Sequence, residues 1–170
     1  MRIIAGKWRG RPLAAPKGDT TRPTADRTRG TLDFEGLAVA DLFAGSGALG
    51  LEALSRGAGS CLFVEQDRAA IDILRANAAK LGLERPDIRA SSVMALGSAV
   101  KPLDLILMDP PYTSGAGAVA LDKLNRLGWV GPATWISIET DRREDVVVKG
   151  FDVETTRDIG KARLHILRPA

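Results

Sequence analysis

Apolar residues along this chain fall into short blocks, separated by stretches in which they recur every three or four positions. The blocks at residues 37–40, 60–64, 88–90, 103–108 and 135–139 have the length and composition of strands. Between them, residues 48–56, 68–81 and 118–127 carry helical spacing. In residues 68–81, Ile71, Leu74, Ala78 and Leu81 share one face, and Gly82 follows as a C-terminal cap. Strands alternating with helices predict an α/β fold, a mostly parallel sheet with helices on both faces. Residues 151–156 and 163–167 alternate apolar and polar and predict an antiparallel closing pair. At the amino end, residues 2–5 and 11–14 can pair as a short hairpin around residues 6–10.

The most informative junction follows the first block. Asp41-Leu42-Phe43-Ala44-Gly45-Ser46-Gly47-Ala48-Leu49-Gly50 reads as strand, glycine turn and helix. Glycines let a ligand lie against bare backbone, and the free N–H groups of the next helix then face it. Gly45 to Gly50 spells G-x-G-x-x-G, and Glu65 ends the second block, where an acid takes ribose hydroxyls. That fingerprint alone does not separate nicotinamide from another adenosine-containing cofactor. Two further features do: Asp41, a carboxylate that suits a cationic group better than a pyrophosphate, and Asp109-Pro110-Pro111-Tyr112, which has no job in hydride transfer.

Together these features resemble the Rossmann-like S-adenosylmethionine-dependent methyltransferases, and the tetrapeptide resembles those acting on exocyclic amino nitrogens of nucleobases. The opening residues 1–11 (MRIIAGKWRGR) and the box Thr21-Arg22-Pro23-Thr24-Ala25-Asp26-Arg27 narrow the likeness. The chain is similar to the bacterial 16S ribosomal RNA guanine-N2 methyltransferases over nearly its whole length. Relatives of that kind carry a longer helical segment between the box and the first strand than residues 28–36 allow. The resemblance implies that Asp41, Phe43, Gly45 and Gly47 surround the methionine part of S-adenosylmethionine and that Glu65 accepts from the ribose hydroxyls. Many relatives read adenine with an acid after the third strand; residues 90–96 contain none, so the backbone of Ser92 or Val93 takes that role here.

The tetrapeptide has a chemical rationale. An exocyclic amine is a poor nucleophile because its lone pair is delocalised into the ring. Asp109 and the carbonyl of Pro110 are two acceptors that can hold its N–H bonds and favour a pyramidal nitrogen as positive charge develops. Pro110 and Pro111 stiffen the turn, and Tyr112 offers a face on which a base can stack. No metal and no covalent nucleophile is needed.

Charge changes the picture at one end. Net charge is +3, yet residues 1–30 carry +6 and the other 140 residues −3. A basic segment on a slightly acidic body predicts a phosphate-binding extension, residues 1–30, ahead of a catalytic domain, residues 31–170. Arg2, Lys7, Trp8, Arg9, Arg11, Arg22, Thr24 and Arg27 are its candidate RNA contacts, with Lys123, Arg126, Arg142 and Arg143 the alternative surface if the extension is structural. The expected partner is 16S ribosomal RNA or the assembling small subunit. With 170 residues, 45% of them apolar, and no stretch resembling a membrane span or a signal peptide, a single cytoplasmic domain, acting as a monomer, is expected. Cys61 and Trp129 read as core, as does Trp135, and His165 as packed. Adenine-N6 methylation shares the tetrapeptide, but the chain has no room for a separate target-recognition domain. Outside that chemistry, a nicotinamide oxidoreductase explains only the glycines, and a non-catalytic RNA-binding module leaves the intact tetrapeptide without a purpose.

Overall fold

The computed structural model describes residues 1–15, 33–112 and 114–170. Seven strands form one sheet: β1 Ala38–Leu42, β2 Ser60–Glu65, β3 Asp87–Ala90, β4 Leu103–Met108, β5 Val130–Asp141, β6 Phe151–Ile159 and β7 Ala162–Pro169. Their spatial order is β3-β2-β1-β4-β5-β7-β6. The first five are parallel, and β7 runs antiparallel to both β5 and β6. The expected α/β class and the closing pair are both observed. Helix α1 (Ala48–Ser55) follows β1, α2 (Arg68–Lys80) follows β2, and α3 (Ala116–Arg126) follows β4.

Strand alternation sorts side chains onto two cores. Val39, Cys61, Phe63, Leu105 and Leu107 face Leu51 and Ala53 of α1 and Leu74 and Ala78 of α2. Their neighbours Ala40, Leu42, Leu62, Val64, Ile106 and Met108 face Ala120, Leu121 and Leu124 of α3. Parity therefore places Asp41, Glu65 and Asp109 on the α1 and α2 side of the sheet.

Helix α1 is apolar nearly all round, a pattern that requires cover on its outer face as well. The amino-terminal segment supplies it. Ile3 and Leu13 are buried with the α1 and α2 core, and Trp8 packs against it. Among the described residues the segment pairs as a narrow loop: a single bridge joins Arg2 to Pro12, and the Ile3 N–H donates to the Arg11 carbonyl (3.0 Å). It is fastened by buried polar groups of the helices. Glu52 accepts from the N–H groups of Ile4 (2.7 Å) and Ala5 (3.3 Å), and the Ser55 hydroxyl donates to the Ala5 carbonyl and accepts from Trp8 N–H.

Strand β5 starts at Val130, earlier than residues 135–139 suggest. Gly131 and Pro132 break the apolar pattern there, but the Thr134 hydroxyl accepts from Gly131 N–H (2.9 Å) and donates to the Leu103 carbonyl (2.6 Å). Those bonds close the irregularity in the β4–β5 register. Cys61, Trp129 and His165 are buried, and Trp135 is partly so, under the Arg168 guanidinium.

Candidate active site

Where the strand order reverses, β1 pairs with β2 on one side and β4 on the other, and the connections leave in opposite directions. A crevice opens outside the carboxyl ends of such strands. Leu42 is opposite both Val64 and Met108, so Phe43, Glu65 and Asp109 stand one step beyond on three adjacent strands. Together with Asp41, Gly45, Ser46 and the Pro110-Pro111-Tyr112 turn they line a cavity of about 400 Å³. Three acidic side chains thus share one pocket, and among the described residues no lysine, arginine or histidine lines it.

The floor is rigid. Asp41 is 1% exposed; its Oδ2 accepts from the Gly50 N–H at 2.9 Å, and its Oδ1 has no hydrogen-bond partner among the described residues. Burial pushes its carboxyl well above the usual carboxylate range, the Gly50 bond opposes this, and the charges of Asp109 and Glu65 add to it. Phe43 has φ 59°, the only non-glycine residue with positive φ among those described. Such a conformation costs of order 1–3 kcal/mol and survives only where the surroundings enforce it. Here the Ala44 N–H donates to the Val64 carbonyl (3.0 Å), carrying the β1–β2 pairing past the strand ends.

The glycine turn is clamped from several sides. Gly47 caps α1 at φ 81°, a conformation strained for other residues, and a Cβ there would stand 2.0 Å from Leu74 Cδ1, so a larger residue would also have to push the Leu74 side chain aside. Gly45 is different: nothing lies within 4 Å of the place its Cβ would occupy, so open space meets bare backbone there. Its N–H donates to Glu65 Oε1 (2.9 Å), while Glu65 Oε2 accepts from Gln66 and Asp67 N–H.

Sequence reasoning did not single out Asn77. It is fully buried and donates to the carbonyls of Ser46, in the glycine turn, and of Ala14, both at 3.0 Å, while its Oδ1 accepts from Ala14 N–H at 2.8 Å. A signal was available: Asn77 sits on the α2 stripe between Leu74 and Leu81, where a polar residue needs buried partners. Glu52, the only charged residue of α1, carried the same signal.

The opposite wall is held at the surface. Tyr112 is 50% exposed and lines the pocket mouth. Behind it the Ser114 hydroxyl donates to the Pro111 carbonyl (2.6 Å) and accepts from Ala116 N–H (3.2 Å). The Gly115 N–H, at the start of α3, donates to Glu144 Oε1 (3.2 Å). A Cβ on Gly117 would lie 2.8 Å from Ile138 and 3.3 Å from Pro110, so α3 tucks under the proline turn.

Two expected residues stand apart. Ser92 caps a single helical turn, Val93–Ala95, by accepting from Met94 N–H, and Val93 is buried in the α3-side core; neither lines the pocket. Arg22, Thr24 and Arg27 lie outside the described residues. Arg2, Lys7, Arg9 and Arg11 are exposed on the outer surface of the amino-terminal loop, and Lys7 lies 4.5 Å from the Trp8 ring.

Comparison with known proteins fits this geometry. The family described as Conserved hypothetical protein 95 matches residues 1–168. Over 149 residues the chain is 39% identical to ribosomal RNA small subunit methyltransferase D of Escherichia coli, spanning 83% of this chain and 75% of that protein. The chain belongs to the ribosomal RNA small subunit methyltransferase D family. Another relative of this family member, YlbH of Bacillus subtilis, is 34% identical over 168 residues, covering 92% of this chain and 91% of that one. The solved structure of yhhF from Escherichia coli superposes with a TM-score of 0.84 at 32% identity, covering 99% of this chain and 97% of that chain. The family fixes the cofactor as S-adenosylmethionine. The pocket suits it: an unpartnered buried carboxylate oxygen and two further carboxylates match a ligand bearing an ammonium and a sulfonium.

Proposed function

We propose that the chain methylates the exocyclic N2 of a guanine in 16S ribosomal RNA. The observation that carries this reading is Asp109 at the carboxyl end of β4, sharing one acidic pocket with Asp41 and Glu65 and followed by a proline-stiffened turn with an exposed tyrosine. Membership of a small-subunit rRNA methyltransferase family supports the polymer, and the two acceptors at Asp109 and Pro110 support an amino nitrogen.

In this mechanism Asp41 Oδ1 would hold the cofactor's ammonium group, the Gly45 and Ser46 backbone would contact its methionine part, and Glu65 would accept from its ribose. When bound, the cofactor supplies an electrophilic methyl group on a positively charged sulfur. Tyr112 stacks on the target base at the pocket mouth. Asp109 accepts one N–H of the amine and the Pro110 carbonyl the other, so the nitrogen lone pair is directed into the pocket. As the amine nitrogen bonds to the methyl carbon, the carbon–sulfur bond breaks and S-adenosylhomocysteine is the leaving group; the nitrogen becomes cationic, and the Asp109 carboxylate stabilises that charge. The extra proton leaves the nitrogen after transfer, through Asp109 to water at the open mouth. No base stronger than a carboxylate is required, since an aryl ammonium is itself acidic.

The deciding experiment is incubation of the purified chain with labelled cofactor and an unmodified 16S transcript, followed by nucleoside mass spectrometry. N2-methylguanosine is expected. N6-methyladenosine as the sole product would overturn the guanine assignment and leave amino-group methylation standing.

A further inference from the structure

We propose that the RNA backbone is gripped at a second basic surface, formed by Arg75, Lys80 and Arg85 at the carboxyl end of α2 and continuous with the amino-terminal loop. The inference rests on the RNA reading above and deepens it. Arg11 of the loop donates through its guanidinium to the Lys80 carbonyl, so a loop cation is anchored on the last turn of α2. Past that turn, Arg75 and Arg85 line an open depression of about 540 Å³ together with Gly82, Leu83 and Pro86. Arg75, Lys80 and Arg85 are exposed, and none forms an ion pair among the described residues. Among the described residues Glu84 is the only acid in the depression.

The other arginine-rich corner of the molecule is already neutralised. Arg142 pairs with Asp158, Arg143 with Asp141, and Arg163 with both Asp145 and Asp158. Arg126 pairs with Asp122, and the Lys123 ammonium donates to the Met94 carbonyl. A phosphate approaching Arg126, Arg142, Arg143 or Arg163 must displace a carboxylate; at Arg75, Lys80 and Arg85, which pair with no carboxylate among the described residues, it displaces counterions, the favourable term in polyanion binding. The two exposed guanidiniums at the depression can each engage a phosphate through two parallel N–H bonds. The surface is also connected to the chemistry. Asn77, one helical turn before Lys80, bonds the Ser46 carbonyl of the glycine turn, so a strand lying on the loop and α2 leads to the pocket rim.

The test is filter binding of a 16S transcript across a salt series, comparing the wild-type chain, the Arg75→Gln/Lys80→Gln/Arg85→Gln triple variant and an Arg142→Gln/Arg143→Gln double variant. Each lost phosphate contact lowers the log–log salt slope by about 0.7–0.9, so the triple variant is expected to flatten it by about 2–3. The double variant should keep the wild-type slope. Both should bind cofactor with wild-type affinity and melt at the wild-type temperature, since all five side chains are at the surface. A triple variant with an unchanged slope, or a double variant with a flattened one, overturns the surface assignment. Methyl transfer by the wild-type chain is read in the same preparations, so loss of the surface proposal and loss of the methylation reading are separate results.

Discussion

The two walls of the pocket are built in opposite ways. On the wall formed by Asp41 and the glycine turn three fastenings are buried, Gly50 to Asp41, Asn77 to Ser46 and Gly47 against Leu74, and only the Glu65 bonds reach the surface. On the wall formed by the proline turn the hydrogen bonds are exposed at Ser114 and only half-buried at Glu144, and the tyrosine is half exposed. Buried bonds exclude competing water and hold one geometry, whereas surface bonds yield more easily. On the proposed reading, the cofactor wall is therefore the more rigid of the two and the base wall the one with more freedom to adjust to a nucleotide.

This contrast can be broken most severely at Asp109. Asp109→Ala is expected to lower single-turnover methylation by about 10²–10³-fold, the usual effect of deleting one group that stabilises developing charge. Cofactor affinity should stay near wild type in calorimetry. A variant that still methylates at the wild-type rate would remove Asp109 from the chemistry.

Next in size is Asp41→Asn, which keeps the shape but loses the charge facing the ammonium group. Cofactor binding should weaken by about ten- to a hundredfold, as for other hydrogen bonds to ionised groups. A pH dependence goes with it. Burial raises the Asp41 carboxyl, so below that raised value the empty site is protonated and binding a cation must expel the proton. Affinity is then lowest in acid, climbs with pH, and levels off above the raised value; Asp41→Asn should abolish the climb. An equally steep climb in the variant would transfer the titration to another group.

Smaller effects belong to the outer wall. Tyr112→Ala should lose about 1–3 kcal/mol of base stacking, read as a higher KM for RNA with cofactor affinity intact. Glu144→Ala removes the bond to Gly115 N–H at the start of α3, worth about 1 kcal/mol. Its expected signature is a severalfold fall in kcat with unchanged cofactor affinity and little change in melting temperature. If Glu144→Ala instead weakened the cofactor, the two walls would not be independent.

Much of this site was legible in the sequence because it is written in short-range patterns. Gly45, Gly47 and Gly50 lie within six residues, and Asp41, Glu65 and Asp109 each sit at or just beyond the end of an apolar block. Strand parity then brings the acids to one face without knowledge of any contact. Illegible was everything carried by hydrogen bonds across 47 to 63 residues, such as Glu52 to Ile4 and Ala5 and Asn77 to Ala14. A basic composition suggested an extension devoted to phosphate, yet residues 1–15 also serve as the outer cover of α1, because Ile3 and Leu13 outweigh the arginines in deciding where the backbone lies. The early start of β5 was hidden for a local reason, since Gly131 and Pro132 read as a break and only the Thr134 hydroxyl bridges it.

The sheet order has a bearing on how this molecule is made. Strand β7 comes last of the seven along the chain, yet it lies between β5 and β6 and pairs with both. Until residues 162–169 are available, the long strand β5 presents an unpaired edge, and β6, exposed along most of its length, has no neighbour to join. An open apolar edge is a template for association with other chains. The strands that bear the pocket make no pairing with β7, whereas β5 gains its second neighbour, and β6 its first, only when residues 162–169 pair with them.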